Sequence, residues 1–352
     1  MSPAMFKYAI LRNPGHNRVY FSSSGKLAKN ELAALLSGGE AAEIAEIAEI
    51  KEETFGGVEY VTFLSKDALT KDETALLSRL SFAYAVFEVC EGGLLCPIEK
   101  TRPYFFGDDL NAILKYSGKT NEIFTRMTIN LAALASGHRG ALLGNLSMLD
   151  PVCGKGTGVF EALTCGYNAY GLDISKKQIE EAAQFLKKYL ENGKYKHSKK
   201  EEKFSGAGFE NAAFRSTRHL FDIAKSKSDK KEEKSLICEL VDGDARDAGR
   251  YYKKESFHII AGDLAYGVQH ENDTGKNKMR NPAELIRTSL PAWTGVLKPK
   301  GAIALSWNTF LIGREKLEDM FAENNLAIAD FGDFSHRVDA AINRDLIIGA
   351  KR

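Results

Sequence analysis

The sequence predicts an α/β protein built on a Rossmann-like sheet, and three observations lead to that prediction. An apolar run ends in an acidic residue and is followed by a glycine-rich turn, GKGTG, over residues 154–158. Further apolar runs alternate with helical patterns, which is typical of a parallel, doubly wound sheet. The first four of these runs end in acids: Asp150, Asp173, Asp244 and Asp263. Ligands of such sheets bind beyond the carboxyl ends of the strands, so we expect the site there.

The first third of the chain predicts a small α/β domain over residues 1–105. The predicted strands are 5–13, 58–64 and 83–89, and the predicted helices are 27–36 and 69–80. The triplet run AAEIAEIAEI, over 41–50, suits either a helix or a strand end. No catalytic constellation lies in this part. Prolines and glycines cluster in residues 91–111, where we place the connection to the second domain.

Residues 106–352 predict the second domain. Thr120 is a suitable N-cap for a helix, and 178–190 predicts another helix that crosses back over the sheet. The predicted strands are 145–150, 169–172, 236–244, 257–266, 301–310, 326–334 and 344–352. The last two are separated by a short connection that suits a hairpin, so we expect seven strands with the last one antiparallel.

A polar insertion over residues 192–235 interrupts this pattern with the lysine-rich runs KYKHSKKEEK and KSKSDKKEEK. A basic arm that binds nucleic acid is one interpretation. A solvated insertion is the favoured one, because acidic residues are interleaved with the lysines.

Composition excludes several classes of protein. The formal net charge of +1 gives no global signal of a nucleic-acid partner. No apolar run approaches the length that crosses a bilayer, and the N-terminus lacks a signal-peptide pattern. The five cysteines contain no CxxC pair, which predicts reduced thiols, a cytoplasmic location and no metal site. Cys153, inside the glycine turn, is expected to fill space rather than act as a nucleophile.

The glycine turn is consistent with two classes of cofactor, a dinucleotide and S-adenosylmethionine, and the residues around the turn distinguish them. A dinucleotide fingerprint has GxGxxG spacing directly after the strand. Here the spacing is GxGxG, and Asp150, Pro151, Val152 and Cys153 precede the first glycine. A carboxylate at this strand end would repel a diphosphate and would suit the ammonium and sulfonium groups of S-adenosylmethionine. A nicotinamide cofactor and a glycine turn without a ligand remain as alternatives.

A second informative stretch is DLAY, at the end of the fourth strand. The Asp263 carboxylate and the Leu264 carbonyl can accept both hydrogens of an exocyclic amine, while Tyr266 stacks on the base. This arrangement would orient the nitrogen lone pair toward a methyl donor, which makes orientation the main catalytic contribution. A base in a duplex would have to leave its stack to reach the site.

Five motifs together resemble a known family: KYSGKTNE, DPVCGKGTG, GLDIS, GDLAYG and HRVDAAINRD. They are similar to those of RNA methyltransferases related to the THUMP-domain tRNA guanine-N2 methyltransferases, over roughly residues 110–352. The resemblance implies a class I methyltransferase sheet, S-adenosylmethionine as cofactor, its adenine near Asp244, a target amine at Asp263, and a helix start at Lys119–Thr120 beside the methionine end. The expected cofactor-binding residues are Asp150, Pro151, Gly154, Gly156, Gly158, Asp173, Ile174, Asp244, Ala245 and Thr120. The N-terminal domain resembles the family's substrate-binding half only loosely.

One departure from the family pattern is Ala265, which stands where the family has proline before the aromatic residue. The chain ends with the last predicted strand, so recognition is expected from residues 1–105 or 192–235, which favours RNA over DNA as substrate. Gln269, His270 and Arg280 lie on a polar stretch that could touch it.

We therefore expect methylation of an exocyclic base amine in tRNA or another structured RNA, without a metal ion. Guanine N2 is the first candidate for that amine. The alternatives are a DNA adenine-N6 methyltransferase, an NAD-dependent oxidoreductase and a non-catalytic RNA-binding relative.

Overall fold

The computed structural model describes residues 5–15, 18–37, 47–99, 101, 104–113, 116, 118–138, 140, 142–211, 213–264 and 282–352. The helices are α1 (Arg18–Ser37), α2 (Lys71–Leu77), α3 (Asp109–Ala112), α4 (Glu122–Ala135), α5 (Thr157–Thr164), α6 (Lys176–Asn192), α7 (Lys227–Lys231), α8 (Ala248–Tyr251), α9 (Pro282–Val296) and α10 (Arg314–Glu323). The strands are β1 (Phe6–Arg12), β2 (Ile47–Phe55), β3 (Val58–Ser65), β4 (Ala83–Val89), β5 (Leu95–Ile98), β6 (Ser147–Asp150), β7 (Asn168–Asp173), β8 (Lys196–Ala207), β9 (Ala213–Ala224), β10 (Leu236–Asp242), β11 (Phe257–Asp263), β12 (Leu297–Asn308), β13 (Leu326–Ile328), β14 (His336–Arg337) and β15 (Asn343–Lys351).

The first sheet is antiparallel, with strand order β2-β3-β1-β4-β5. In the chain, the elements of this part follow the order β1, α1, β2, β3, α2, β4, which is a βαββαβ arrangement. Buried Tyr8, Ile10 and Phe63 belong to a core cluster that also contains Leu27 and Leu32 of α1. Strand β5 falls inside the stretch that the sequence predicts as a connection.

The second sheet has the order β13-β15-β12-β11-β6-β7-β10-β9-β8, and β14 pairs with β15. Strands β12, β11, β6, β7 and β10 are parallel, and β15 is antiparallel to β12. Helices α4, α5 and α6 pack on one face and α9 and α10 pack on the other. This is the three-layer arrangement expected for a doubly wound sheet, and it brings the carboxyl ends of the five parallel strands to one edge.

Each of the seven predicted strand segments contains a strand, but the sheet of the described residues holds ten. The favoured interpretation of residues 192–235 as a solvated insertion fails at β9, which has several buried residues, whereas most of β8 is exposed and no residue of α7 is buried. Strands β8 and β9 form a hairpin there, and β9 pairs antiparallel with β10. Buried Phe221 and Ile223 alternate with more exposed neighbours along β9, and the surrounding lysines hide that pattern in the sequence. The edge strand β8 is rich in charge, which protects a long edge from pairing with another chain.

The expectation of reduced thiols was wrong for two of the five cysteines. Cys90 and Cys96 form a disulfide across the turn between β4 and β5, with their Cα atoms 6.4 Å apart. The Cys90 amide donates to the Leu94 carbonyl, and this tight turn brings together two cysteines whose spacing is not CxxC. Cys153, Cys165 and Cys238 are free and buried.

The two sheets are joined by buried polar contacts. Arg79 donates from Nη1 to the Cys165 carbonyl at 3.0 Å and from Nη2 to the Tyr167 hydroxyl at 2.9 Å. Asn130 donates to the buried Glu31 carboxylate at 2.8 Å. One apolar cluster also runs from Phe63 to Phe160, across both parts. Among the described residues, no helix is both long enough and apolar enough to span a membrane.

Candidate functional site

The glycine turn connects β6 to α5, and its glycines are needed for two different reasons. Gly154 and Gly156 have φ values of +53° and +92°, in the region that favours glycine. Gly158 lies so close to the Asp150 carboxylate that any Cβ atom there would clash with Oδ2. The turn therefore lets backbone and a carboxylate approach one another at the start of α5.

Asp150 is a buried carboxyl group at the end of β6. It accepts a hydrogen bond from the Val152 amide at 3.2 Å. The pKa of Asp150 is raised to about 8, chiefly by burial, with smaller contributions from the negative charges of Asp173 and Asp263. A cation bound beside Asp150 would offset that cost, whereas an anion would increase it. Pro151, which follows, is also buried.

Asp173 ends β7, next to the glycine turn. Its Oδ2 accepts from the Gly154 amide at 2.9 Å and its Oδ1 accepts from the Ser175 amide at 2.8 Å. These bonds orient the carboxylate, and each carboxylate oxygen can accept more than one hydrogen bond. The adjacent Ile174 is 73% exposed, which places an apolar side chain at the same edge.

Asp244 and Ala245 follow β10. The Asp244 carboxylate accepts from the Arg246 amide at 2.9 Å and forms an ion pair with the Arg246 guanidinium. Ala245 is 7% exposed, and its carbonyl accepts from Trp293 Nε1 at 2.9 Å. This loop is therefore held by α9 and by its own arginine.

Asp263 ends β11 and is held by groups from three distant parts of the chain. Thr120 donates its hydroxyl to Oδ2, and Ser306, the register partner of Asp263 on β12, donates to Oδ1. Arg344 Nη2 lies 3.6 Å from Oδ2. Leu264 is 2% exposed, and its amide donates to the Ser306 carbonyl at 2.9 Å. The carboxylate consequently has a defined orientation at the edge of the sheet.

The sequence assigned the wrong capping residue to α4. Asn121 is the N-cap, because its side chain accepts from the amides of Ile123 and Phe124 at 2.9 and 3.2 Å. Thr120 precedes the helix, and its hydroxyl is directed to Asp263 instead. Lys119 donates to the Asn111 carbonyl and to Glu122, both at 2.6 Å.

The structure also brings in residues that the sequence analysis did not single out. Tyr116 and Thr157 share a hydrogen bond of 2.6 Å, and burial raises the pKa of Tyr116 to about 12. Tyr116 and Arg344 lie inside quoted motifs, so the motifs were the available signal. Ser306 has no local signal, since only the register of β11 on β12 identifies it.

Several predicted residues lie outside the described part of the chain: Ala265, Tyr266, Gln269, His270 and Arg280. Within the described ranges, no group of three or more His, Cys, Asp or Glu residues could hold a metal ion.

No family model and no curated protein matches the chain. It is similar in structure to the YcgJ protein from Bacillus subtilis, at 14% identity and a TM-score of 0.36, covering 64% of this chain and 98% of that chain. It is also similar to an rRNA methylase from Streptococcus thermophilus, at 10% identity and a TM-score of 0.37, covering 64% and 95%. A TehB-like SAM-dependent methyltransferase from Corynebacterium glutamicum is 13% identical, with a TM-score of 0.31, covering 59% and 81%. Values at this level assign no activity to this chain.

Proposed function

We propose that the protein is an S-adenosylmethionine-dependent methyltransferase that methylates an exocyclic base amine in RNA, guanine N2 being the first candidate. The observation that carries the proposal is the acidic edge of the second sheet. Burial raises the pKa of Asp150, and the nearby carboxylates of Asp173 and Asp263 add to that effect, so the site favours a cationic ligand.

The residues at the first two strand ends fit this cofactor. Asp150 would lie near its ammonium group, with Pro151 and the glycines of 154–158 allowing close approach of the backbone. Asp173, oriented by two amides, would accept the ribose hydroxyls. The exposed Ile174 offers an apolar surface to adenine, with Ala245 and Asp244 on the neighbouring loop. A diphosphate would instead add negative charge beside Asp150.

S-adenosylmethionine, when bound, supplies a methyl group activated by the sulfonium. In the proposed mechanism Asp263 and the Leu264 carbonyl accept the hydrogens of the target amine, and Tyr266 stacks on the base. The hydroxyl groups of Thr120 and Ser306 and the guanidinium of Arg344 keep the Asp263 carboxylate in one orientation. The bond from the amine nitrogen to the methyl carbon would form as the carbon–sulfur bond of the donor breaks, with S-adenosylhomocysteine as the leaving group. The proton that the nitrogen loses would pass to the Asp263 carboxylate and from there to solvent, so no metal and no covalent enzyme intermediate are required.

RNA as the substrate is supported by the five motifs, which resemble those of RNA methyltransferases. The polar recognition surface is then expected in residues 1–105 or in the β8–β9 hairpin. A cytoplasmic location belongs to the same proposal.

Two measurements test the proposal. Calorimetry at pH 8 should show binding of S-adenosylhomocysteine in the micromolar range and none of NAD. Tritium should pass from labelled S-adenosylmethionine into RNA, but not DNA, purified from cells that lack the gene. Tight NAD binding without S-adenosylhomocysteine binding would favour an oxidoreductase, and label in DNA would favour an adenine methyltransferase.

Asp263→Ala provides the test of the catalytic assignment. We expect at least a hundredfold loss of methyl transfer, while the affinity for S-adenosylhomocysteine changes by less than about twofold, because orientation of the amine is lost and cofactor contacts remain. Asp319→Ala, on the exposed face of α10, is the matched control and should change neither value. Equal loss of binding and transfer in Asp263→Ala would contradict the assigned role.

A further inference from the structure

We propose that Phe310 and Arg337 form a stacking platform for an unpaired nucleobase next to the target nucleotide. Phe310 is 57% exposed, one of the most exposed large apolar side chains among the described residues. The Arg337 guanidinium lies over its ring, 5.1 Å from the ring centroid. The neighbouring Leu311, 44% exposed, extends the apolar surface. This inference rests on RNA being the substrate proposed above.

The platform is held rigidly by buried Asn308. The Asn308 side chain accepts from the amides of Phe310 and Asn343, both at 3.2 Å, and donates to the Ala341 carbonyl at 3.0 Å. Asn308 is only 4% exposed. An exposed aromatic ring on a turn fixed in this way loses little conformational entropy when a ligand binds, which favours a recognition role over an incidental exposure.

The platform lies at the same edge of the sheet as the catalytic acid. Phe310 is four residues beyond Ser306, whose hydroxyl donates to Asp263, so the chain between them spans at most about 14 Å. Arg337 pairs through β14 with Asn343, the residue before Arg344. Both halves of the platform are therefore only a few residues along the chain, or one strand pairing, from groups that lie beside Asp263, where a nucleotide flanking the target would be expected.

The chemistry of the pair favours a nucleotide. An aromatic face beside a guanidinium plane complements an unstacked base and the phosphate that follows it, and such stacking tolerates any base. The platform would thus hold the RNA strand without selecting its sequence, and selection of the target would stay with the amine contacts at Asp263.

Phe310→Trp turns the platform into a reporter. Both native tryptophans, Trp293 and Trp307, are at most 1% exposed, so the new indole would be the exposed fluorophore. We expect a mixed-sequence 12-nucleotide single-stranded RNA to quench its fluorescence, and inorganic polyphosphate of similar charge to cause no quenching. The proposal would be overturned if both RNA and polyphosphate quenched the fluorescence, or if neither did.

Affinity for the same oligonucleotide gives the second measurement. Phe310→Ala should raise its Kd about tenfold, as expected for one lost base stack, and Arg337→Ala should raise it severalfold. Leu143→Ala, at a 45% exposed residue beside the opposite edge of the sheet, is the matched control and should leave the Kd unchanged. Equal effects of Phe310→Ala and Leu143→Ala would contradict the proposal.

The two proposals fail separately. RNA methylation with no quenching of Phe310→Trp would overturn the platform and leave the function standing. Quenching by RNA in a protein that neither binds S-adenosylhomocysteine nor transfers label would support the platform and overturn the function.

Discussion

Asp150 and Asp263 are both carboxyl groups at strand ends, yet their surroundings prepare them for different roles. Asp150 is buried beside other acids, and its raised pKa reflects a charge that lacks a compensating cation. Asp263 is held by two hydroxyl groups and faces Arg344, so its charge is compensated within the protein. A cationic ligand is therefore expected at the first site, and an oriented acceptor at the second.

The raised pKa of Asp150 predicts how stability depends on pH. Because the folded protein holds this proton up to about pH 8 while an unfolded Asp loses it near its ordinary value of 3.8, stability falls as pH rises through that interval. The loss is up to about 6 kcal/mol for a shift of this size. Asp150→Asn cannot ionise, so its unfolding free energy should fall less between pH 5 and pH 8 than that of the natural protein. Denaturant titrations at several pH values would measure the unfolding free energy of both proteins. The same dependence on pH in Asp150→Asn and in the natural protein would contradict the prediction.

Thr120 and Asn121 are adjacent, and the structure predicts different consequences when their side chains are substituted. Asn121→Ala removes the N-cap of α4 and should cost about 1 kcal/mol of stability. Thr120→Val removes the hydroxyl that contacts Asp263 and should lower methyl transfer about tenfold or more with a smaller effect on stability. Thr120→Ser keeps the hydroxyl and serves as the control. Thermal unfolding and label transfer separate the two outcomes, and equal stability losses would contradict the capping assignment.

At the scale of elements, the β8–β9 hairpin extends the second sheet beyond β10. Strand β9 has neighbours on both sides, and Phe221 on it is completely buried, with the Lys199 ammonium 5.7 Å from its ring centroid. The charged strand β8 provides the exposed edge. The hairpin is therefore part of the folded core as well as a candidate recognition surface.

Phe221→Ala should destabilise the protein by about 3–5 kcal/mol, because a large buried ring is removed from a packed site. Lys200→Ala, at an exposed position on β8, should change stability by less than about 0.5 kcal/mol. Hydrogen exchange should show protected amides along β9. If Phe221→Ala left the stability unchanged and the amides of β9 exchanged rapidly, residues 192–235 would be solvated and not packed on the sheet.

At the scale of the whole molecule, the two sheets share buried polar contacts, and Arg79 is the most demanding of them. Its guanidinium is completely buried, donates to the Cys165 carbonyl and the Tyr167 hydroxyl, and lies 5.2 Å from the centroid of the Tyr104 ring. A buried charge of this kind is tolerated only with well-placed acceptors and aromatic faces. We infer that it fixes the first sheet against α5 and the strand that follows it.

Arg79→Ala should cost at least about 3 kcal/mol, since it leaves a cavity and two buried acceptors without their donor. It should also separate the unfolding of the two parts into two transitions, where the natural protein shows one. Arg215→Ala, at an exposed position of β9, is the matched control. Calorimetry would detect the change, and a single unshifted transition would contradict the inference.

The sequence by itself determined the doubly wound sheet, the glycine turn and the strand ends at Asp150, Asp173 and Asp263, because apolar runs and turn glycines are local signals with a fixed period. Only the tertiary structure decided what those acids contact. Thr120 and Ser306 reach Asp263 from 143 and 43 residues away, so their meeting depends on strand register and helix packing. The same reason applies to the β8–β9 hairpin and the Cys90–Cys96 disulfide, where pairing across a turn overrode what charge and spacing indicated.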